Sequence, residues 1–187
     1  IFAAVCIAYV LTAVNAWPSF VNESSLEPRV KYEANMMEQN DIPISKRSLV
    51  LYHLGELSSE ESIDVAENNV KLFTAAVLAH TSATHHSAFY IFRVVGGKKN
   101  ILARHLPLGV PNAVISKCSH GTRDLIAHIQ TVSALGPDLV SRFSSIVFLS
   151  HDARGPFEGR EDGAWLTRIN GLFTKHPLVG LLGATIS

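Results

Sequence analysis

At 187 residues the chain has room for one domain of ordinary size. Nearly half of it is apolar (47%) and only 17% is charged, a balance that supports a hydrophobic core and excludes an intrinsically disordered chain. Sixteen Lys plus Arg offset sixteen Asp plus Glu, so there is no basic field to hold a nucleic acid, and none is expected as a partner.

Residues 1–17, IFAAVCIAYVLTAVNAW, carry no charge. They are fewer than the roughly 20 apolar residues of a spanning helix. They fit the apolar part of a secretory signal peptide, with the small residues Val14 and Ala16 before a cleavage point after Ala16. The chain has no initiator Met, so a signal-anchor that begins upstream fits equally; a buried N-terminal core helix is the alternative to both. Asn22-Glu23-Ser24 comes next, an N-glycosylation acceptor that has meaning only in a lumenal or extracellular segment. Together these features predict a domain in the lumen of the endoplasmic reticulum or Golgi, or a secreted one, joined to a membrane through residues 1–17 if they are not cleaved. Residues 18–47 are polar, contain Pro18, Pro28 and Pro43, and read as a lumenal linker.

From residue 48 the pattern changes. Residues 48–54 are a short continuous apolar run bounded by Gly55, which predicts a buried strand. Ser58 with Glu61 makes a capping box, and Ile63, Ala66, Val70, Phe73 and Val77 continue at helical spacing to about Thr81. A second strand is predicted at 88–95, stopped by Gly96-Gly97, and a third at 112–116. Thr122 is placed to cap a helix from Arg123 to Leu135, which Gly136-Pro137 ends. A fourth strand follows at 144–149, a helix at 165–173, and a fifth strand at 179–186. Continuous apolar strands alternating with helices predict a three-layer α/β domain over 48–187, its sheet mainly parallel and covered on both faces.

Ligands of such sheets sit at the carboxyl ends of the strands. There the run Ile146 to Leu149 leads straight into Ser150-His151-Asp152-Ala153-Arg154-Gly155-Pro156-Phe157. An Asp just past a strand end is placed to hold a hard divalent cation, Mn or Mg, against a diphosphate. His151 is its possible neighbour, and Arg154 offers a planar fork for phosphate. The competing reading is a strand-ending turn in which Asp152 pairs with Arg154 or caps the next segment. Across the expected crevice, Gly121 and Asp124 stand at a strand-to-helix junction, where a helix N-terminus binds an anion. Asp124 there also simply favours the helix dipole. No G-x-G-x-x-G and no P-loop occurs, which counts against dinucleotide and P-loop nucleotide chemistry. The nine His show no tight ligand spacing such as HExxH and read as surface and helix-end residues.

The order of these features resembles a family of glycosyltransferase-like proteins of plants, algae and microbes, some related to polysaccharide synthesis. The matching residues are Tyr52 and Glu56, then Glu67-Asn68-Asn69-Val70-Lys71-Leu72-Phe73, then Phe89-Tyr90-Ile91-Phe92. They continue with Gly121 and Asp124, Phe148-Leu149, Arg154-Gly155-Pro156-Phe157, Trp165, and Leu181-Leu182-Gly183-Ala184-Thr185-Ile186-Ser187. The likeness covers residues 48–187, and its most specific parts are the Arg-Gly-Pro-Phe run and the terminal strand. It implies a GT-A-like nucleotide-sugar-binding fold that transfers a sugar from a nucleotide donor to a glycan acceptor. Two positions depart from the pattern: Ser150 and Ser119 stand where the family has Asn. The family also continues beyond the position of Ser187 into acceptor-binding and catalytic segments, so the chain is expected to be part of a longer protein. The second reading is a non-catalytic structural or glycan-binding protein that keeps the fold.

Overall fold

The computed structural model describes residues 21–39, 47–57, 60–79, 88–97, 100–107, 109–110, 112–118, 124–153 and 164–175. Residues 1–17, the run 154–157 and the strand expected at 179–186 lie outside them.

The described residues form an α/β fold around four parallel strands: β1 (Ser48–Leu54), β2 (Ala88–Val95), β3 (Ala113–Cys118) and β4 (Ser145–Ser150). The first two coincide with the expected runs; the last two sit one residue later at their starts than 112–116 and 144–149 predict. The order across the sheet is β3-β2-β1-β4. Every residue of β1 and β2 is buried, as central strands packed on both faces must be, and this is why their sequences run apolar without alternation. β4 lies at the sheet's margin and is partly exposed along its length.

Side chains alternate between two cores. Val50, Tyr52, Leu54, Tyr90, Phe92 and Val94 face one layer. That layer holds helix α2 (Glu60–Ala79), through Ala66, Val70, Phe73 and Val77, and a 3-10 turn, Ile101–His105. Leu49, Leu51, Phe89, Ile91 and Val114 face the other. It is built from α1 (Leu26–Gln39), α3 (Asp124–Leu135) and α4 (Pro137–Val140). Helix α5 (Ala164–Lys175) adds Leu166 to the first core. The chain moves from β1 to β2 to β3 over one face and returns to β4 over the other. Right-handed crossovers that travel in opposite directions must use opposite faces. The reversal falls between β1 and β4, so their carboxyl ends are where a ligand crevice is expected in such a sheet.

One segment departs from expectation. Within the supposed linker 18–47, residues 26–39 form α1, whose Leu26, Val30, Ala34 and Met37 are buried. The apolar stripe is a single row on an otherwise polar helix, too thin to stand out in the sequence. Pro28 is tolerated because first-turn N–H groups have no intrahelical partner. Ahead of the helix, the Val21 N–H donates to the Ile115 carbonyl at 2.8 Å and the Lys117 N–H to the Val21 carbonyl at 3.0 Å, so β3 holds the chain just before the helix begins.

Candidate functional site at the carboxyl edge of the sheet

Three loops converge on the crevice. After β1 the chain passes Gly55 and the exposed Glu56; after β4 it passes His151 and Asp152; Asp124 opens α3. Asn100 braces this edge: its Nδ2 donates to the Gly55 carbonyl at 3.1 Å and the Val95 carbonyl at 3.2 Å, and its Oδ1 accepts from the Leu102 N–H at 3.0 Å. One amide thus ties the ends of β1 and β2 together and caps the 3-10 turn.

His151 is fixed on three sides. Its backbone N–H donates to the His53 carbonyl at 3.0 Å, its carbonyl accepts from Asn69 Nδ2 at 3.0 Å, and its Nδ1 accepts from the Gly55 N–H at 3.2 Å. The fit is close: a Cβ on Gly55 would meet His151 Cε1 at 3.2 Å. Because Nδ1 accepts, neutral His151 carries its proton on Nε2. That nitrogen faces Asp152 Oδ1 at 3.5 Å. His151 is thus the neighbour of Asp152, and it presents a donor to that carboxylate rather than a lone pair.

Asp152 stands where the sequence predicts, just past the carboxyl end of β4, with its side chain 73% exposed. Beneath it, burial raises the Tyr52 hydroxyl well above the ordinary tyrosine value, and the Asp152 charge adds to this. Asp124 is held from below. Its Oδ1 lies 2.6 Å from Nδ1 of the fully buried His53. The His53 hydrogen bond lowers the Asp124 pKa, aided by Ser150 and His151 and opposed by burial. Gly121 and Arg154 lie outside the described residues. Asn22 is exposed at the entry to α1, as a glycosylation acceptor requires.

A second set of groups lies one layer deeper. In register across the sheet, Ser150 pairs with His53, His53 with Arg93, and Arg93 with Ser116. Each follows the apolar residues of its strand that face α1 and α3, so the four form one polar row on that face. Arg93 Nη1 donates to Ser116 Oγ at 2.8 Å, and Ser116 Oγ donates to the Val21 carbonyl at 3.1 Å. His128, one turn along α3, packs its ring 6.1 Å from His53 and 5.1 Å from Phe148. Burial lowers its pKa to about 4, with the neighbouring His53 acting in the same direction. Reading the histidines as surface and helix-end residues fails for His128 and His151, both buried, while His53 is buried as its apolar run predicts. The one signal in the sequence was a polar residue near the end of each apolar strand, His53 and Arg93; nothing in it aligned them.

Other expected positions go elsewhere. Glu67 lies on the outer side of α2, bonded to Lys71 at 2.7 Å, Arg104 at 2.9 Å and His105 at 2.9 Å. The Lys71 hydrogen bond leads in holding its pKa down to about 2. An open cavity of about 950 Å³ between α1, the end of α3 and α4 is lined by Lys31, Asp138 and Arg142 among others and by none of the crevice residues. Among the described residues no three His, Cys, Asp or Glu gather as a cation site. No helix among them is long and apolar enough to cross a membrane.

Compared with models of known protein families, with curated proteins and with solved structures, the chain matches none. The reading of the crevice rests on its own geometry.

Proposed function

We propose that the chain carries the donor-binding part of a GT-A-like glycosyltransferase of the secretory pathway, with the crevice between β1 and β4 as the nucleotide-sugar site. The observation that carries this is a solvent-facing carboxylate, Asp152, standing at the reversal point of a parallel sheet with strand order β3-β2-β1-β4. A nucleoside diphosphate needs a hard cation there, and such cations keep several waters and take one or two protein carboxylates together with the phosphates. One exposed carboxylate fits a cation that arrives with its diphosphate. Asp152 would hold Mn or Mg, which neutralises the diphosphate as it leaves. His151 would orient Asp152, and the segment opening α3, with Gly121 and Asp124, would meet the phosphates at a helix N-terminus. Arg154 is the further phosphate partner in this reading. The glycan acceptor would approach over the exposed loops at the same edge. Residues 1–17 would target the domain to the Golgi or endoplasmic reticulum lumen or outside the cell, and Asn22 would carry a glycan.

Titration calorimetry of the full chain with uridine and guanosine diphosphate sugars, with and without manganese, tests the reading. Binding should require manganese, and Asp152→Asn should weaken it by on the order of 1–3 kcal/mol with little change in melting temperature. A variant that melts earlier but binds normally would make Asp152 a turn residue. The second reading, a non-catalytic glycan-binding or structural protein, is favoured by Ser150 and by the absence, among the described residues, of three His, Cys, Asp or Glu gathered as a cation site. Heat from a glycan and none from any donor would support it.

A further inference from the structure

Helix α3 is held to the sheet at its first two turns by two histidines. His53 of β1 bonds Asp124 through Nδ1 at 2.6 Å. His128 of α3 itself hydrogen-bonds the Leu149 backbone of β4 and packs on Phe148. Each ring then has one buried nitrogen, His53 Nε2 and His128 Nδ1, that meets no partner among the described residues. Apolar contact adds little near this end of the helix. The buried positions of the first two turns are Ala127, His128 and Thr131, while Leu125, Ile126 and Ile129 point to solvent.

We propose that His128 is a proton-operated hold on the start of α3, beside the His53–Asp124 contact, closed at neutral pH and loosened in acid. A second proton on His128 must go to Nδ1, because the other nitrogen is engaged with Leu149. There it would create a buried N–H and a buried charge with no acceptor. The His53 ring lies 6.1 Å away, with its Nδ1 on Asp124, so it gives the new N–H no acceptor. The groups facing them set the balance. Among the described residues the anion near them is Asp124 of α3, which bonds His53 and draws on His128 only through its charge. His151 and Ser150 come from β4, and Arg93, a further cation, lies in register with His53 on β2. Helices α1 and α4 bring no titratable group to the His128 ring among the described contacts. Releasing the start of α3 frees the carboxylate of Asp124, so acid would open the crevice from the α3 side.

The hold needs no ligand, so its test is independent of the donor-binding reading. Amide hydrogen exchange of the full chain, corrected for intrinsic rates, is compared at pH 7.5 and pH 5. Protection of α3 relative to β1 and β2 should fall by about tenfold in acid, as expected for a histidine held more than one pH unit below its ordinary value. His128→Leu should remove that acid step. If His128→Leu does not fold, His128→Gln keeps an N–H for Leu149 without a titrating ring and should behave alike. Equal relative protection of α3 at both pH values in the unaltered chain would overturn the proposal, as would an undiminished acid step in either variant.

Discussion

Arg47 opens β1 with its side chain almost wholly buried, Nη1 donating to the Met37 sulfur at 3.7 Å. Its Nε and Nη2 meet no acceptor among the described residues, and burial lowers its pKa to about 10. A buried charge without an anion is a cost to folding, so Arg47→Met should raise stability, by about 1–3 kcal/mol on the pattern of buried ion replacements. A melting temperature unchanged or lower in the variant would mean the guanidinium has a partner in the folded chain. Gly55 poses the opposite case. Adding a methyl there drives it against His151 Cε1, and shifting the ring strains the Gly55 N–H bond to Nδ1. Gly55→Ala should therefore cost about 1–3 kcal/mol. In a His151→Ala background most of that cost should vanish. A double-mutant cycle with no coupling would remove the close fit as the reason for a glycine after β1.

Helix α1 shows how an element escapes notice. Four buried side chains in fourteen residues suffice to seat it, because the sheet supplies the other half of every contact. Arg142 adds hydrogen bonds to Asn35 at 3.1 Å and Glu38 at 2.7 Å across its exposed side. Val30→Asp discriminates a packed helix from a linker. It should cost more than about 3 kcal/mol by burying a carboxylate among Leu49, Phe89 and their neighbours. In an irregular linker the same change stays within about 0.5 kcal/mol, and a denaturant titration separates the two. The strands were legible, and so were the other long helices: those expected to about Thr81, over 123–135 and over 165–173 lie at Glu60–Ala79, Asp124–Leu135 and Ala164–Lys175. β1 and β2 are bounded by glycines or turns and have no polar face, so their limits follow from composition alone. β3 and β4, at the margins, begin a residue later than their apolar pattern implies.

Taken as a whole, the molecule should lose stability in two steps as pH falls. His128 has a folded pKa of about 4, below the ordinary histidine value, so the unfolded chain takes up protons first. Stability is full above pH ~6.5 and declines between there and pH ~4, by on the order of 1–2 kcal/mol at pH 5. Asp124, with its pKa lowered by His53, stabilises the fold above the ordinary carboxylate value. That contribution disappears only as the pH falls further, through its depressed value. Melting curves from pH 8 to pH 3 should show the first step in the unaltered chain and not in His128→Leu. A flat profile between pH 7 and pH 5 would contradict the burial of His128.

The α/β class, the parallel sheet and the position of Asp152 past β4 follow from local information: runs of apolar residues, their lengths, and the residues that stop them. Those are near-neighbour properties, so a single chain read from end to end carries them. The strand order and the polar row were not available that way. Ser150, His53, Arg93 and Ser116 are separated by tens of residues, and they align because parallel register brings positions near the carboxyl ends of different strands to one level. The same register sets His53 under Asp124, 71 residues away, and turns histidines that look like surface residues into buried groups. Burial, and with it pKa, depends on what packs against a residue from distant parts of the chain. That is why the carboxylate facing solvent was readable, while the histidines that hold the helix beside it emerged only from the packing of the sheet.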